Sequence, residues 1–211
     1  MKSNLATLHG HLAGNLGVLT IPGGLIPGPG TPGPIVPPGP AREPDDVRLR
    51  MSACPDQASS GSGDAINSIG YNLSVSNCTI WGMPDDGIQT GSDAMIRNVR
   101  VLETGDNGIT MQRGSIVTES IADDNEDVGF LMDAGTLVSN CTVHDNGTGI
   151  QASNSGQIRG CSIYSNDNWG IQGGSAYAYS YNNIRNNGTD ARGSGRPIGA
   201  NYCTSGYCPV N

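Results

Sequence analysis

The feature that most constrains the fold is an apolar pattern that repeats about every 21 residues from residue 66 onward. Two positions after the Asn-Cys of VSNCTI lies an apolar residue, whose counterparts recur at steps of 21, 20, 22, 20 and 21 residues. This series is Ile80, Val101, Ile121, Val143, Ile163 and Ile184. Such periods are typical of solenoids, in which each repeat buries its apolar face by stacking on its neighbours.

Two further series run in parallel with the first. One is apolar and comprises Val75, Ile96, Ile116, Val138, Ile158 and Tyr179. The other is a glycine followed by an apolar residue, at Gly87-Ile88, Gly108-Ile109, Gly129-Phe130, Gly149-Ile150 and Gly170-Ile171. Short alternating stretches separated by Asn and Gly are typical of strands. The repeat therefore predicts an all-β chain that forms a parallel β-helix of about six turns, with three short strands in each turn.

The rest of the chain divides by composition. We predict that the β-helix spans residues 66–190, preceded by a cap or loop at 45–65 and followed by a C-terminal cap at 191–211. Residues 21–44 hold nine of the thirteen prolines, which predicts a semi-rigid Pro/Gly-rich linker. Residues 1–20 have leucines at helical spacing, and three interpretations stay open: a disordered N-terminus, a docking segment, or a degenerate signal peptide.

Charge and hydropathy exclude several classes of partner. The formal net charge is -8 and Lys2 is the single lysine, so the clustered cations that nucleic acid binding needs are lacking. No run of about 18 apolar residues is present, so we predict no membrane span.

Asparagine and cysteine recur in fixed columns of the repeat. Asn77, Asn98 and Asn140 share a position with Gly160, which predicts a turn in the left-handed backbone conformation. Cysteines occupy an inward column at residues 78, 141 and 161, and we expect stacked core thiols there. Beyond the repeats, Cys203 and Cys208 lie in a Gly-rich loop and predict a disulfide-closed cap, as in an oxidising compartment.

The loop before each Gly-apolar pair is acidic. Asp85, Asp106 and Asp127 would stack about 5 Å apart, and a hard cation such as Ca²⁺ would relieve their repulsion. The alternative is that they are solvated turn residues, since Asp suits turns as Asn does. No other cofactor is predicted.

The repeats VSNCTI, IRNVRV, VSNCTV and IRGCSI, each followed by an Asn/Asp-rich loop and an apolar residue after Gly, resemble the right-handed parallel β-helix proteins of the pectate-lyase-like superfamily. The resemblance implies a right-handed helix and a sugar that lies across the outer face of the strand that begins at the Gly-apolar pair. Because lyases, hydrolases, adhesins and phage tailspikes share the pattern, it does not choose an activity.

Alternation along that strand predicts an outward face rich in amides, suited to hydrogen-bonding sugar hydroxyls. The predicted glycan contacts are Gln89, Gln112, Asp133, Gln151 and Gln172. For a lyase, the resemblance implies an Arg or Lys base beside calcium-binding aspartates, and Arg113 with Asp133 are the nearest candidates. No histidine is expected in the groove.

Three functions follow as hypotheses. The first is an extracellular or surface-displayed scaffold, carried on the Pro-rich stalk, that contacts glycan or self-assembles into an oligomer or fibre without catalysis. The second is a small calcium-dependent polysaccharide lyase or related carbohydrate-active enzyme. The third is a part similar to a phage tailspike.

Overall fold

A computed structural model of the chain describes residues 50–52, 63–68, 70–204 and 206–208. The predicted segments 1–20 and 21–44, and most of 45–65, therefore lie outside the described residues. The described part contains strands and turns, and no helix in it is long and apolar enough to cross a membrane.

The strands are short and follow one another at regular intervals. The first ten are β1 (Arg50–Ser52), β2 (Ile66–Ser68), β3 (Ser74–Trp81), β4 (Ile88–Thr90), β5 (Met95–Leu102), β6 (Ile109–Met111), β7 (Ile116–Thr118), β8 (Ile121–Asp123), β9 (Val128–Met132) and β10 (Leu137–Ser139). The remaining nine are β11 (Thr142–His144), β12 (Thr148–Ala152), β13 (Gln157–Arg159), β14 (Ser162–Tyr164), β15 (Trp169–Ser180), β16 (Asn183–Arg185), β17 (Thr189–Pro197), β18 (Tyr202–Cys203) and β19 (Gly206–Tyr207).

Parallel pairing between successive turns makes a right-handed β-solenoid of about 6 turns with three sheets. Sheet 1 contains β2, β4, β6, β9, β12 and the first parts of β15 and β17. Sheet 2 contains β1, β7, β10, β13, the first parts of β3 and β5, and the last parts of β15 and β17. Sheet 3 contains the last parts of β3 and β5 with β8, β11, β14, β16 and β18. The parallel pairings run from Arg50 of β1 to Tyr202 of β18.

Each sheet sends one column of apolar side chains into a narrow core. The Gly-apolar residues form the column of sheet 1, and all five of Ile88, Ile109, Phe130, Ile150 and Ile171 are fully buried. The glycine before each of them lies against the next turn: a Cβ there would meet the next carbonyl oxygen at 2.6–2.7 Å. Close packing between turns therefore explains why glycine recurs at this position.

The predicted columns of sheets 2 and 3 were wrong by one residue in the third turn. Val117, not Ile116, pairs with Ile96 and Val138, and Ala122, not Ile121, pairs with Val101 and Val143. Val117 and Ala122 are fully buried, whereas Ile116 and Ile121 are half-buried. Ile116 and Ile121 each lie next to another apolar residue, so the apolar pattern alone does not determine the register. A shift of one residue reverses which side chain points inward.

Left-handed turns occur where the Asn/Gly column was predicted. The φ angles of Asn77, Asn98 and Asn140 are 56°, 52° and 55°, and that of Gly160 is 64°. In addition, the Asn98 amide donates a 2.8 Å hydrogen bond to the Asn77 side-chain oxygen.

The cysteine prediction was right for two of the three residues in its column. Cys141 and Cys161 are free and buried, and their mutual hydrogen bond together with burial raises the pKa of the Cys141 thiol. Cys78 is disulfide-bonded instead. At the C-terminal end, Cys203 is joined to Cys208 across the antiparallel β18–β19 hairpin.

Candidate functional site

The outer face of sheet 1 carries a column of side chains, one from each turn, that is polar at every position except Leu131. The strand register aligns Gln89, Thr110, Leu131, Gln151, Gln172 and Arg192. We call these six residues the amide column. Successive members are about 4.8 Å apart because that is the spacing of paired strands. Gln151 is exposed, whereas Gln89, Leu131 and Gln172 are half-buried.

Two of the predicted glycan contacts lie outside this column. Gln112 and Asp133 follow β6 and β9, two positions beyond Thr110 and Leu131. Both are exposed, and they flank the amide column on the side where the chain leaves sheet 1 toward sheet 2. The structure therefore divides the five predicted residues into a column of three and a flanking pair.

The predicted catalytic pair is not joined in the described part of the chain. Arg113 and Asp133 are both exposed, and no ion pair links them there. One Asp133 carboxylate oxygen instead accepts a 2.6 Å hydrogen bond from the backbone N–H of Ala134. That carboxylate thus stabilises its own turn.

Both ends of the amide column carry polar contacts. Near the N-terminal end, the Asn67 amide donates to the Gln89 side-chain oxygen at 2.8 Å and to Asp64 at 2.6 Å. At the C-terminal end, the Arg192 guanidinium lies 5.1 Å from the centre of the Trp169 ring. The face thus changes along its length from amide to guanidinium and aromatic character.

Acidic side chains meet on the loop edge before sheet 1. Asp85, Asp86 and Asp106 each have a carboxylate oxygen within 4.8 Å of the other two. Of the predicted calcium ligands, Asp85 and Asp106 belong to this group, whereas Asp127 does not and Asp86 takes its place. Three carboxylates without nitrogen or sulfur donors form an oxygen set of the kind that Ca²⁺ prefers.

Asp86 has a structural role that the sequence did not reveal. It is buried, and its Oδ1 accepts from the backbone N–H and the side-chain amide of Asn107 at 3.0 and 2.9 Å. Its own N–H donates to Asp64 at 3.1 Å. A similar internal ladder joins the amides of Asn125, Asn146, Asn166 and Asn187, of which the first three are buried.

Crowding changes the acidity of this edge. Burial, followed by the charges of Asp86, Asp127, Asp85 and Asp64, raises the pKa of Asp106 above its ordinary value near 3.8. Burial is also the largest cause of the raised pKa of Asp64. The ionised edge is therefore under electrostatic strain that a bound cation would relieve.

A second titratable group lies on sheet 3, where no site was predicted. Asp123, His144 and Asp145 have ligand atoms within 4.8 Å of one another. A separation of 21 residues between Asp123 and His144 equals one repeat, and this was the signal that could have found the pair. The prediction that Ile121 points inward concealed the pair, because aligning Ile121 with Val143 would set Asp123 opposite Asp145.

Comparison with known proteins identifies the fold. Residues 52–137 match the family described as right handed beta helix region. The crystal structure of pectate lyase Pel9A superposes with a TM-score of 0.50 at 11% sequence identity, over 74% of this chain and 52% of that chain. This chain thus spans about half the length of that lyase. No curated protein matches the sequence.

The matched segment, the parallel register of the three sheets and the likeness to Pel9A agree with one another. At 11% identity, the likeness concerns the fold alone. The chain is a right-handed parallel β-helix repeat protein that shares its fold with pectate lyase Pel9A.

Proposed function

We propose that this chain is an extracellular or surface-displayed β-helix scaffold that binds a neutral or weakly charged glycan along the amide column, without catalysis. The observation that carries the proposal is the register that aligns Gln89, Gln151 and Gln172 on one outer face. An amide offers both donors and an acceptor, so a regular series of them suits sugar hydroxyls.

Electrostatics favours a ligand of low negative charge. The formal net charge of the chain is -8, and the acidic edge lies beside sheet 1. An anionic polymer would be repelled there unless a cation intervened. A neutral polysaccharide meets no such barrier on the amide column.

The outward face offers little for glycan cleavage. Hydrolysis needs two carboxyl groups about 5–10 Å apart across the bond, and lyase chemistry needs a base beside groups that stabilise an enolate. Asp133 is the one carboxylate among the predicted contacts, and it is engaged with the Ala134 N–H. The scaffold role therefore accounts for these residues better than catalysis does.

A disulfide supports the proposed location. Cys203 and Cys208 are joined, and Cys78 is disulfide-bonded as well. Disulfides persist in oxidising surroundings such as the cell exterior.

The second candidate is a small calcium-dependent polysaccharide lyase. The proximity of the Asp85, Asp86 and Asp106 carboxylates is the specific observation that favours this candidate. A site made of oxygen ligands alone could hold Ca²⁺ beside an anionic polymer. Pel9A is a pectate lyase, and its name supports this class by analogy of fold.

Binding of the purified chain to a panel of soluble glycans, measured by calorimetry in a chelator, tests the proposal. Replacing Gln151 and Gln172 with Ala should weaken binding about tenfold or more, because two outward amides lose their hydrogen bonds to the sugar. Gln157→Ala is the matched control, since Gln157 is an exposed amide on sheet 2.

Two results would contradict the proposal. One is binding in added Ca²⁺ that survives the double substitution but is abolished by Asp106→Ala or by the chelator. The other is new ultraviolet absorbance from unsaturated products when uronate polymers are incubated with the chain. Either result would transfer support to the calcium-dependent lyase.

A further inference from the structure

Three side chains converge on the outer face of sheet 3, away from the amide column. Asp123 ends β8 and His144 ends β11, and the two strands pair with these residues opposite each other. Asp145 follows His144 in a left-handed turn, with a φ of 54°. The register and the turn together bring two carboxylates and one imidazole into contact.

One imidazole nitrogen faces both carboxylates. His144 Nδ1 lies 3.0 Å from Asp123 Oδ1 and 2.8 Å from Asp145 Oδ2. A neutral imidazole can carry at most one hydrogen on Nδ1, and that hydrogen points toward one acceptor. A cation that bonds in several directions at once would satisfy all three atoms.

The two distances are close to those between ligands that share one small metal ion. Ligands about 2.1 Å from an ion lie about 3.0 Å apart in adjacent octahedral positions and about 3.4 Å apart in tetrahedral ones. The separations of 2.8 and 3.0 Å therefore allow a shared ion once the carboxylates move outward by a few tenths of an ångström.

The imidazole is held in place independently of the carboxylates. Its ring stacks on Tyr164 of the next turn, with the centres 4.8 Å apart and the planes at 5°. The Arg185 guanidinium lies 5.7 Å from the centre of Tyr164. Support of this kind orients a ligating histidine and lowers the entropy cost of binding.

Access to the site is partial. The side chains of His144 and Asp123 are 19% and 28% exposed, whereas that of Asp145 is 54% exposed. An ion could thus enter from solvent on the Asp145 side and keep water in its remaining positions.

We propose that Asp123, His144 and Asp145 bind a divalent first-row transition ion such as Zn²⁺ in preference to Ca²⁺. The imidazole would bind through the Nδ1 lone pair and carry its hydrogen on Nε2. Imidazole is a good ligand for Zn²⁺, whereas Ca²⁺ prefers oxygen alone. This site thus differs in metal preference from the carboxylate group formed by Asp85, Asp86 and Asp106, and its existence does not depend on glycan binding.

Calorimetric titration of the full chain with Zn²⁺, after removal of metals, tests the proposal. We expect one site in the natural sequence, and an affinity about tenfold or more lower in His144→Gln and in Asp123→Asn. Asp124→Asn is the matched control, because Asp124 is exposed and adjacent but outside the group, and it should bind as the natural sequence does. Titration with Ca²⁺ should give no site that depends on His144.

A second readout separates this site from other ligands in the chain. Co²⁺ should give visible absorption bands without a thiolate charge-transfer band, since no cysteine belongs to the group. The double variant His9→Gln, His11→Gln removes the other two histidines and should retain the site.

Some outcomes would overturn the proposal. These are unchanged Zn²⁺ affinity in His144→Gln, loss of the site in the His9, His11 variant, or equal affinity for Ca²⁺. If His144→Gln unfolds, the exposed Asp145→Asn takes its place, and retention of full Zn²⁺ affinity in that variant would equally count against the site.

Discussion

The glycine of each Gly-apolar pair lies where successive turns of the backbone approach most closely. At Gly149 an added Cβ would lie 2.6 Å from the carbonyl oxygen of Gly170 and 2.9 Å from Ile163 Cγ2. Real Cβ atoms avoid such distances, so the turns would have to separate. At the residue scale, therefore, the spacing between turns depends on the absence of a single carbon atom.

Gly149→Ala should lower the free energy of unfolding by about 1 to 3 kcal/mol, the usual cost of overpacking. Urea denaturation of the purified variant measures the change. Gly174→Ala is the control, since a Cβ at Gly174 meets nothing closer than 3.6 Å, and it should stay within about 0.5 kcal/mol of the natural chain. Equal stability of Gly149→Ala and the control would show that the turns can separate at no cost.

At the scale of the element, β17 differs from the other long strands. It pairs with β15 on one side, and no other strand of the described residues pairs with it. The strand contains Arg192, Gly193, Gly195, Arg196 and Pro197. Charged side chains, glycine and proline are the devices by which natural proteins keep edge strands from pairing with other chains.

This edge argues against growth of a fibre through the C-terminal end. Replacing Arg192 and Arg196 together with Val should promote association of the chain, because the edge loses two repelling charges and gains β-branched side chains. Light scattering coupled to gel filtration at several concentrations would detect a rise in mass. Arg159→Val, on the exposed face of the interior strand β13, should leave the mass unchanged. An oligomer already present in the natural chain and dissociated by the double substitution would point to β17 as an interface.

At the scale of the whole molecule, stacking multiplies the effect of an acidic loop. Each turn places its carboxylates beside those of the turns before and after, so the charge on one edge accumulates. The raised pKa of Asp106 is the local consequence, caused by burial and then by four neighbouring carboxylates. A group whose pKa is raised on folding disfavours the folded state once it ionises, so its contribution declines as pH rises above about 3.8.

Asp106→Asn should therefore raise the thermal midpoint at pH 7 in a chelator, by about 1 to 3 °C, and the gain should shrink as pH falls toward 4. Scanning calorimetry at both pH values measures it. Asp167→Asn, an exposed residue outside the carboxylate group, is the control and should change the midpoint less. If Ca²⁺ binds this edge, adding it should raise the midpoint of the natural chain but not of Asp106→Asn. A lower midpoint for Asp106→Asn in the chelator would contradict the repulsion.

Local chemistry determined the repeat, the strands and the turns. A glycine before each apolar residue, and Asn or Gly at the left-handed positions, impose conformations that depend on a few neighbouring atoms, so Gly149 and Asn140 could be interpreted without a structure. The amide column was predicted in part for the same reason, because alternation along one strand decides whether Gln151 points outward.

Only the tertiary structure decided how the turns align. In the third turn the apolar neighbours Ile121 and Ala122 satisfy the pattern equally well, and packing in a narrow core selected the smaller residue. That choice moves Asp123 opposite His144. Register between strands is a long-range property, since it depends on the fit of whole turns rather than on the residues within one of them.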